Sequence, residues 1–393
     1  MYEIMTLGEL SDRDKKRVDR KQFSFSEETP QPDAIFVRSA TVANENITPE
    51  LLTIGRAGIG LNTIDVAACT QNGTMVFNTP GVNSNAVKEL VLTNLLNAVR
   101  PVEAAVQNVQ HLSGDNILEQ AENLRNDFLG EELEGKTIGI LGLGAIGDLV
   151  AKACHHLGMD VLGYARRPRQ ADYFQQVYEL RDLLPEADFV VILLPLTDDT
   201  KQLIGKKELA MMRSDALLLN FGRGEIVDDQ ALLQALEEEQ IAGDVSDFPN
   251  ERLLHQPKIK LLPHMGGTTN KALSDGAAIV VRNIRDFLLY GTVRQSVNFP
   301  NTFLPLTAPI RLSIFFIEQP KLFAKISQTI AEQDIEIDIL TSERRNGYVY
   351  SLIDLDETDE TKVEKLKERI LQLDGILRIR LLKNPNWTPI IYL

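Results

Sequence analysis

The sequence contains only two cysteines in 393 residues. Cys69 and Cys154 each stand alone in an apolar or helical context, so neither a disulfide framework nor a metal site is expected. No apolar run approaches the roughly 18 residues that a membrane-spanning helix needs, and the N-terminal segment is too polar for a signal peptide. The formal net charge of −15 argues against binding to nucleic acid or to an anionic membrane. We therefore expect a reduced, cytoplasmic protein with no metal and with neither nucleic acid nor a membrane as partner.

The length predicts about two or three domains, and the first two show the same pattern of apolar runs. Predicted strands that end in Gly, Pro or Asn turns occupy residues 34–40, 51–58 and 74–80 of a first domain, 1–97. In a second domain, 98–279, near-continuous apolar strands alternate with helical segments. This pattern is typical of a parallel sheet covered by helices on both faces.

The pattern changes after a linker rich in Pro and Asn at 293–309. Residues 308–393 show the order strand, helix, strand, strand, helix, strand, which predicts a ferredoxin-like domain. The predicted fold class is therefore α/β, with two Rossmann-like doubly wound parallel-sheet domains followed by a βαββαβ domain.

A glycine-rich turn, "LGLGAIG", follows the predicted strand 137–141 and precedes a predicted helix. Gly142 would permit the tight turn, Gly144 would let a pyrophosphate approach the backbone, and Gly147 would allow the helix to pack closely on the strand. Ala145 and Ile146 complete the turn at the helix N-terminus, where free N–H groups favour an anion. The segment predicts a dinucleotide site; the alternative is a glycine-rich turn without a ligand.

Polar residues follow three further apolar strands of the second domain. Arg223 stands between two glycines after "LLLNFG", Asp247 and Glu251 follow "IAGDVS", and His264 follows "IKLLP". An imidazole that takes a hydroxyl proton, a carboxylate that supports it and a guanidinium that binds a carboxylate suit the oxidation of a 2-hydroxy acid. Taken singly, each residue is equally consistent with an ordinary polar group at a strand end.

Several motifs in succession resemble the D-isomer-specific 2-hydroxyacid dehydrogenase family, and within it the phosphoglycerate dehydrogenases. They are "RAGIGLNTID", "NTPGVNSNAVKEL", "FLGEELEGKTIGILGLGAIG", "ADFVVILLPLTDDT", "NFGRGEIVDDQAL", "PHMGGTT" and "SVNFP". The C-terminal domain resembles an ACT domain. The resemblance implies a homo-oligomer, a dimer or a tetramer, and a first domain completed by residues from about 280 to 305.

The resemblance also implies the roles of individual residues. Arg223, Glu251 and His264 would be catalytic. Two arginines and one loop would bind the substrate. The arginines are Arg38 and Arg56, and the loop contains Ala57, Gly58, Gly60 and Asn62. Beyond the glycine-rich turn, the cofactor would meet Pro195, Thr200, Asp247 and Gly266.

The residue expected to bind the ribose 2′-hydroxyl of NAD is absent. An acidic residue about 20 positions beyond the glycine turn usually has this role, but Ala165 stands there, followed by Arg166 and Arg167. The two arginines would favour the 2′-phosphate of NADP. The sequence therefore predicts NAD or NADP, with NADP used alone or alongside NAD; the alternative is that NAD binds without the acid.

Three departures from the family pattern bear on function. The family usually leaves one more residue between Asp247 and the glutamate, so Arg252 occupies the aligned position; we choose Glu251 because a cation would not stabilise an imidazolium. Leu193 stands where the family often has histidine or asparagine. Glu318 and Lys321 occupy the turn where serine-regulated relatives bind serine, so we expect assembly or a different small-molecule effector there.

The main hypothesis is that the protein converts 3-phosphoglycerate to 3-phosphohydroxypyruvate by hydride transfer to a nicotinamide cofactor, the first step of serine biosynthesis. Two alternatives stay open at this point. One is a hydroxypyruvate, glyoxylate or other D-2-hydroxyacid reductase. The other is an NAD-sensing binding protein without catalysis.

Overall fold

A computed structural model describes residues 1–388. The chain divides into two compact units: Met1–Val82 together with the described chain from Leu273 onward, and Asn83–Ala272. These divisions differ from the boundaries at 97 and 279 that the sequence pattern suggests, and the role of each unit stays a prediction. Among residues 1–388, no helix combines the length and hydropathy that crossing a membrane would require.

Strands and helices alternate through most of the chain. The strands are β1 Tyr2–Leu7, β2 Phe23–Ser26, β3 Ala34–Val37, β4 Thr53–Arg56, β5 Met75–Phe77, β6 Thr137–Leu141, β7 Asp160–Tyr164, β8 Gln175–Val177, β9 Phe189–Ile192, β10 Leu217–Asn220, β11 Gly243–Ser246, β12 Ile259–Leu261, β13 Ile310–Ile317, β14 Ile337–Arg345, β15 Tyr348–Leu355 and β16 Ile376–Lys383. The helices are α1 Asp12–Lys15, α2 Val66–Gln71, α3 Ser84–Val99, α4 Val102–Gln110, α5 Ile117–Leu124, α6 Ala145–His156, α7 Lys206–Leu209, α8 Asp229–Glu237, α9 Asn270–Tyr290, α10 Leu322–Ala331 and α11 Glu360–Leu371.

The first unit contains a parallel sheet with the order β2-β1-β3-β4-β5. Strands β3, β4 and β5 coincide with the three predicted strands, while β1 and β2 were not predicted individually. One face of α9 is buried in the core of this sheet through Val280, Ile284 and Phe287. The hydrophobic core of the first sheet therefore includes a helix from late in the chain.

The second unit contains a parallel sheet with the order β12-β11-β10-β9-β6-β7-β8. The chain runs outwards from β6 to β8 and then returns to β9 on the other side of β6. This reversal is the topological switch point of a Rossmann sheet, where ligands bind at the carboxyl ends of the strands. The predicted doubly wound fold is confirmed.

The third sheet is antiparallel and has the order β14-β15-β13-β16. With α10 and α11 it has the predicted ferredoxin-like plan, and Val363, Leu366 and Ile370 of α11 are buried as the helical spacing predicts. Residues 389–393, the end of the predicted C-terminal domain, lie outside the described residues.

Buried arginines join this antiparallel sheet to the C-terminal end of α9. The last carbonyls of a helix lack partners within the helix and must be satisfied from elsewhere. Arg380 donates to the carbonyls of Phe287 (3.1 Å) and Leu288 (2.7 Å), and Arg311 donates to that of Tyr290 (2.8 Å). The charge of Arg311 is balanced by Asp354, and both side chains are fully buried. The antiparallel sheet is therefore fixed to this helix by buried and partly buried hydrogen bonds.

Candidate functional site

The glycine-rich turn joins β6 to α6 at the switch point of the second unit. Gly142 has a φ of +110°, and a Cβ there would lie 3.0 Å from the backbone of Leu193. At Gly147 a Cβ would lie 2.0 Å from the carbonyl oxygen of Gly142, so no side chain fits at that position. Both glycines are therefore required by close backbone packing.

Gly144 differs because a Cβ there would meet no heavy atom within 4 Å. It is the N-cap of α6 and provides no side chain to bind the first N–H groups of the helix. The next residue, Ala145, is exposed, whereas Ile146 packs partly on the core. The helix N-terminus thus has open space and unsatisfied donors in front of it, which is what a pyrophosphate requires. These residues fit a dinucleotide.

The turn after β7 carries the predicted ribose contacts. Gln176 Nε2 donates to the carbonyls of Ala165 and Arg167, both at 2.9 Å, and so fixes the turn. Arg166 Nη1 lies 3.0 Å from Asp199 Oδ2, and both side chains are mostly exposed. Because an exposed ion pair contributes little and exchanges readily, the guanidinium of Arg166 remains accessible to another anion.

The loop after β9 contains the predicted Pro195 and Thr200. Thr200 is buried, and its hydroxyl donates to the carbonyl of Pro195 at 2.7 Å. The same oxygen accepts from the N–H of Thr197 at 2.8 Å. The Thr200 hydroxyl therefore stabilises the conformation of this loop through two hydrogen bonds to its backbone.

Arg223 follows β10 and is positioned by Asn220, which the sequence analysis did not identify. Asn220 Oδ1 accepts from the N–H of Gly222 (3.1 Å), and its Nδ2 donates to the carbonyl of Arg223 (2.9 Å). The guanidinium is half-buried and donates from Nη1 to the carbonyl of Gly222 at 2.7 Å. The sequence offers one indication of this role. Asn220 ends the buried run "LLLN", and a buried side-chain amide needs hydrogen-bond partners nearby.

Asp247 follows β11 and fixes the loop that carries His264. Its carboxylate accepts from the N–H of Met265 (2.8 Å) and of Gly266 (2.7 Å), and it is 3% exposed. A Cβ on Gly266 would lie 3.0 Å from this carboxylate. The structure thus brings together three predicted residues: Asp247, His264 and Gly266.

His264 is exposed, has a φ of +52° and packs against Phe248, a second residue that the sequence analysis missed. The ring centroids lie 5.0 Å apart in an edge-to-face arrangement. Both rings line a cavity of about 490 Å³ whose wall also includes Lys201 and Arg252. The edge-to-face contact stabilises this orientation of the imidazole, and His264 stays exposed.

Glu251 is exposed, and it is not among the residues that line this cavity. Among residues 1–388, no hydrogen bond joins its carboxylate to His264. The pairing of Glu251 with His264 therefore stays a prediction, and its two neighbours, Asn250 and Arg252, line the cavity instead.

Asp244, in the middle of β11, is a buried carboxyl group close to this turn. It is 2% exposed, and neither carboxylate oxygen has a hydrogen-bond partner within the described chain. Burial, with a smaller contribution from Asp229, raises the pKa of Asp244 to about 8. The two carboxyls line one small cavity, and Asp229 accepts from Asn250 Nδ2 at 3.0 Å. Asp244 is therefore a buried carboxyl group that stays protonated at neutral pH beside the residues that precede Glu251.

The predicted substrate-binding residues all lie in the first unit, at the ends of β3 and β4. Arg56 Nε donates to the carbonyl of Arg38 at 3.0 Å, and its Nη1 donates to Asn62 Oδ1 at 3.1 Å and to the carbonyl of Gly60. Arg38 Nη2 donates to the carbonyl of Leu273 (3.3 Å), while its Nε is buried without a partner among the residues described. The loop backbone continues through Ala57 and Gly58, whose N–H groups donate to the carbonyls of Val37 and Arg56.

The chain matches known proteins along most of its length. A family model described as "D-isomer specific 2-hydroxyacid dehydrogenase, NAD binding domain" matches residues 92–266. The D-3-phosphoglycerate dehydrogenase of Escherichia coli K12 is 32% identical over 369 residues, which are 89% of this chain and 87% of that protein. The chain belongs to the D-isomer-specific 2-hydroxyacid dehydrogenase family. The predicted resemblance is confirmed, and the NAD-binding description supports a nicotinamide cofactor.

Other members of the family are similar to parts of the chain. The D-3-phosphoglycerate dehydrogenase of Methanocaldococcus jannaschii is 33% identical over 288 residues, 70% of this chain and 53% of that protein. The chain thus spans about half the length of this relative and of the one from Synechocystis. A solved NADPH-dependent glyoxylate/hydroxypyruvate reductase of Sinorhizobium meliloti is 25% identical, with a TM-score of 0.64 over 76% of this chain and 98% of its own.

The raised pKa of Asp244 predicts that stability falls with increasing pH. In the unfolded chain its carboxyl ionises near pH 4, whereas in the folded protein it keeps its proton up to about pH 8. Between these values the folded state binds the extra proton, so this group lowers the free energy of unfolding by up to about 1.4 kcal/mol per pH unit. The free energy of unfolding of Asp244→Asn, relative to that of the wild type, should therefore increase between pH 5 and pH 8. Above pH 9 this difference should stay constant.

Urea unfolding at several pH values measures this difference. Asp160→Asn, which changes an exposed aspartate at the start of β7, is the matched control and should follow the wild type at every pH. A constant difference between Asp244→Asn and the wild type would contradict the assignment.

Proposed function

We propose that the protein oxidises 3-phosphoglycerate to 3-phosphohydroxypyruvate with a nicotinamide cofactor, the first step of serine biosynthesis. The observation that carries this proposal is the similarity to the Escherichia coli D-3-phosphoglycerate dehydrogenase, which extends over nearly the whole of both chains. A reductase of smaller 2-oxo acids is the alternative, since a glyoxylate reductase of Thermococcus gammatolerans is 35% identical over 61% of this chain.

In the proposed reaction, the substrate loses a hydride from C2 and a proton from its C2 hydroxyl. A bound nicotinamide would supply the acceptor for the hydride. Arg223 binds the substrate carboxylate through the N–H groups that its contact with Gly222 leaves available. His264, which packs against Phe248, accepts the hydroxyl proton on a ring nitrogen. Glu251 acts as a positioning residue that stabilises the imidazolium.

The phosphate of the substrate is assigned to Arg38. A buried N–H without a partner is costly unless a ligand completes it, and Arg38 Nε is in that situation within the described residues. Arg56 has a positioning role. Its hydrogen bonds to Gly60 and Asn62 hold the loop that would contact the substrate carboxylate.

We also infer a homo-oligomer, a dimer or a tetramer. Apolar side chains on α4 and α5, among them Val106, Val109 and Leu118, are 49%, 45% and 77% exposed. Apolar surface of this kind is typical of a subunit contact.

In the C-terminal domain, Glu318 is paired with Arg344 at 3.1 Å at the turn predicted for an effector, and this argues for assembly or for a ligand other than serine.

Initial rates on 3-phosphoglycerate, D-glycerate and D-lactate test the function. D-Glycerate differs from 3-phosphoglycerate only by the phosphate, so Arg38→Ala should raise the KM for 3-phosphoglycerate about tenfold and leave that for D-glycerate nearly unchanged. The exposed Arg181→Ala is the control. Equal effects on both substrates would favour the reductase alternative, and no turnover on any acid would favour the NAD-sensing binding protein.

His264→Asn should lower kcat by about two to four orders of magnitude, because the proton acceptor is lost, while the Kd of the cofactor stays the same. Glu251→Gln should lower the apparent pKa of the acidic limb of the pH–rate profile for oxidation, because the imidazolium of His264 loses its supporting charge. Arg252→Ala is the matched variant in the same turn. If it reduces kcat more than Glu251→Gln does, the glutamate is wrongly assigned.

We propose that NADP is used alone or alongside NAD, because Arg166 and Arg167 follow Ala165 where an acid would exclude the 2′-phosphate. The ratio of kcat/KM for NADP to that for NAD should be one or greater. Ala165→Asp combined with Arg166→Ala should reverse it, whereas Asp199→Asn should raise it by releasing Arg166 from its ion pair. A strong preference of the wild type for NAD would overturn this part.

A further inference from the structure

Three arginines that have no role in the proposed reaction line a cavity of their own. This cavity, of about 340 Å³, lies in the first unit and is lined by Arg17, Ala278, Ile279, Arg282 and Arg285. Among its described lining residues there is no acidic side chain. Since the whole chain carries a net charge of −15, such a concentration of positive charge is a local feature of this surface.

The spacing along α9 places the lining residues together. Ala278, Arg282 and Arg285 are separated by four and three positions, so they share one face of the helix. Ala278 and Ile279 are half-buried and provide an apolar floor, while Arg282 is exposed. Within residues 1–388, no hydrogen bond or ion pair engages the guanidinium of Arg282.

Arg17 is held in place by a buried carboxylate. Its Nε lies 3.1 Å from Asp14 Oδ1, and Asp14 is only 3% exposed. The other oxygen, Asp14 Oδ2, accepts from the hydroxyl of Ser11 at 2.6 Å. Because Asp14 binds Arg17 through Nε, the terminal nitrogens of Arg17 remain for a ligand.

Arg285 is fixed in the same way. Its Nε and Nη2 donate to Asp286 Oδ1 at 2.9 and 2.6 Å, and Asp286 is 8% exposed. Asp286 Oδ2 lies 3.4 Å from Nη1 of Arg294. This leaves Nη1 of Arg285 for a ligand. With Arg294 included, four arginines are balanced by only two carboxylates, Asp14 and Asp286, and neither of these lines the cavity.

We propose that this cavity binds a small phosphorylated metabolite, with the phosphoryl group held by Arg17, Arg282 and Arg285 and the carbon chain packed on Ala278 and Ile279. Guanidinium groups match the oxygens of a phosphate, and orientation by buried carboxylates reduces the entropy lost on binding. The volume admits a molecule of a few carbon atoms. The acidic remainder of the surface disfavours a nucleic acid.

The test follows the methyl group of Ile279, which lines the cavity, by NMR of protein labelled at isoleucine δ1 methyls; Ile279→Val assigns its signal. Titration with glycerol 3-phosphate should shift this signal to saturation, and inorganic phosphate should bind more weakly because it lacks the carbon chain. Arg282→Ala should weaken binding of glycerol 3-phosphate about tenfold. Arg282→Lys should weaken it less, because the charge remains without the planar fork.

Arg369→Ala removes another exposed helical arginine of the same unit and should leave the titration unchanged. Arg38→Ala should also leave it unchanged, which separates this site from the substrate phosphate in the proposed reaction. The proposal is overturned if the Ile279 signal does not move, if sulfate moves it equally at the same concentration, or if Arg282→Ala and Arg369→Ala have equal effects.

Discussion

The parallel pairing of seven strands in the second unit is the constraint on which the candidate site depends. Because every strand runs in the same direction, the loops that follow β6, β7, β9, β10, β11 and β12 all leave at one edge of the sheet. Burial of both faces favours apolar strands, so polar side chains stand mostly where the strands end, with Asp244 of β11 as an exception. The glycine turn, Arg223, Asp247 and His264 are brought together by this topology, although up to about 120 positions separate them in the sequence.

The features that were predictable from sequence are those that a local pattern encodes. The glycine turn was predictable because backbone packing around Gly142 and Gly147 admits no side chain. The ferredoxin-like plan was predictable because its helices and strands show their own periodicities. The boundary after Val82 was not, since α3 begins at Ser84 and the Pro80–Gly81 turn before it is typical of any strand end.

Contacts between distant positions account for what the sequence did not reveal. Phe248 orients His264 only because the loop after β11 returns beside the loop after β12. Asp244 lies within an apolar strand, and its lack of a partner depends on what packs over β11 from elsewhere in the chain. The join between the antiparallel sheet and α9 likewise relies on Arg311 and Asp354, 43 positions apart. None of these pairings has a sequence spacing that would predict it.

The arginines show how contacts distinguish a structural group from a binding group. A guanidinium has five N–H donors, and in Arg311 all of its nitrogens are engaged by the buried Asp354 carboxylate and three backbone carbonyls. This arginine has no capacity for a ligand, and its burial away from water makes it part of the fold. Arg223 donates once to its own loop, and Arg38 keeps a buried Nε without a partner inside the described chain. Side chains of the same type thus hold an antiparallel sheet in one place and remain available for an anion in another, and what separates them is how many of their donors the fold has already used.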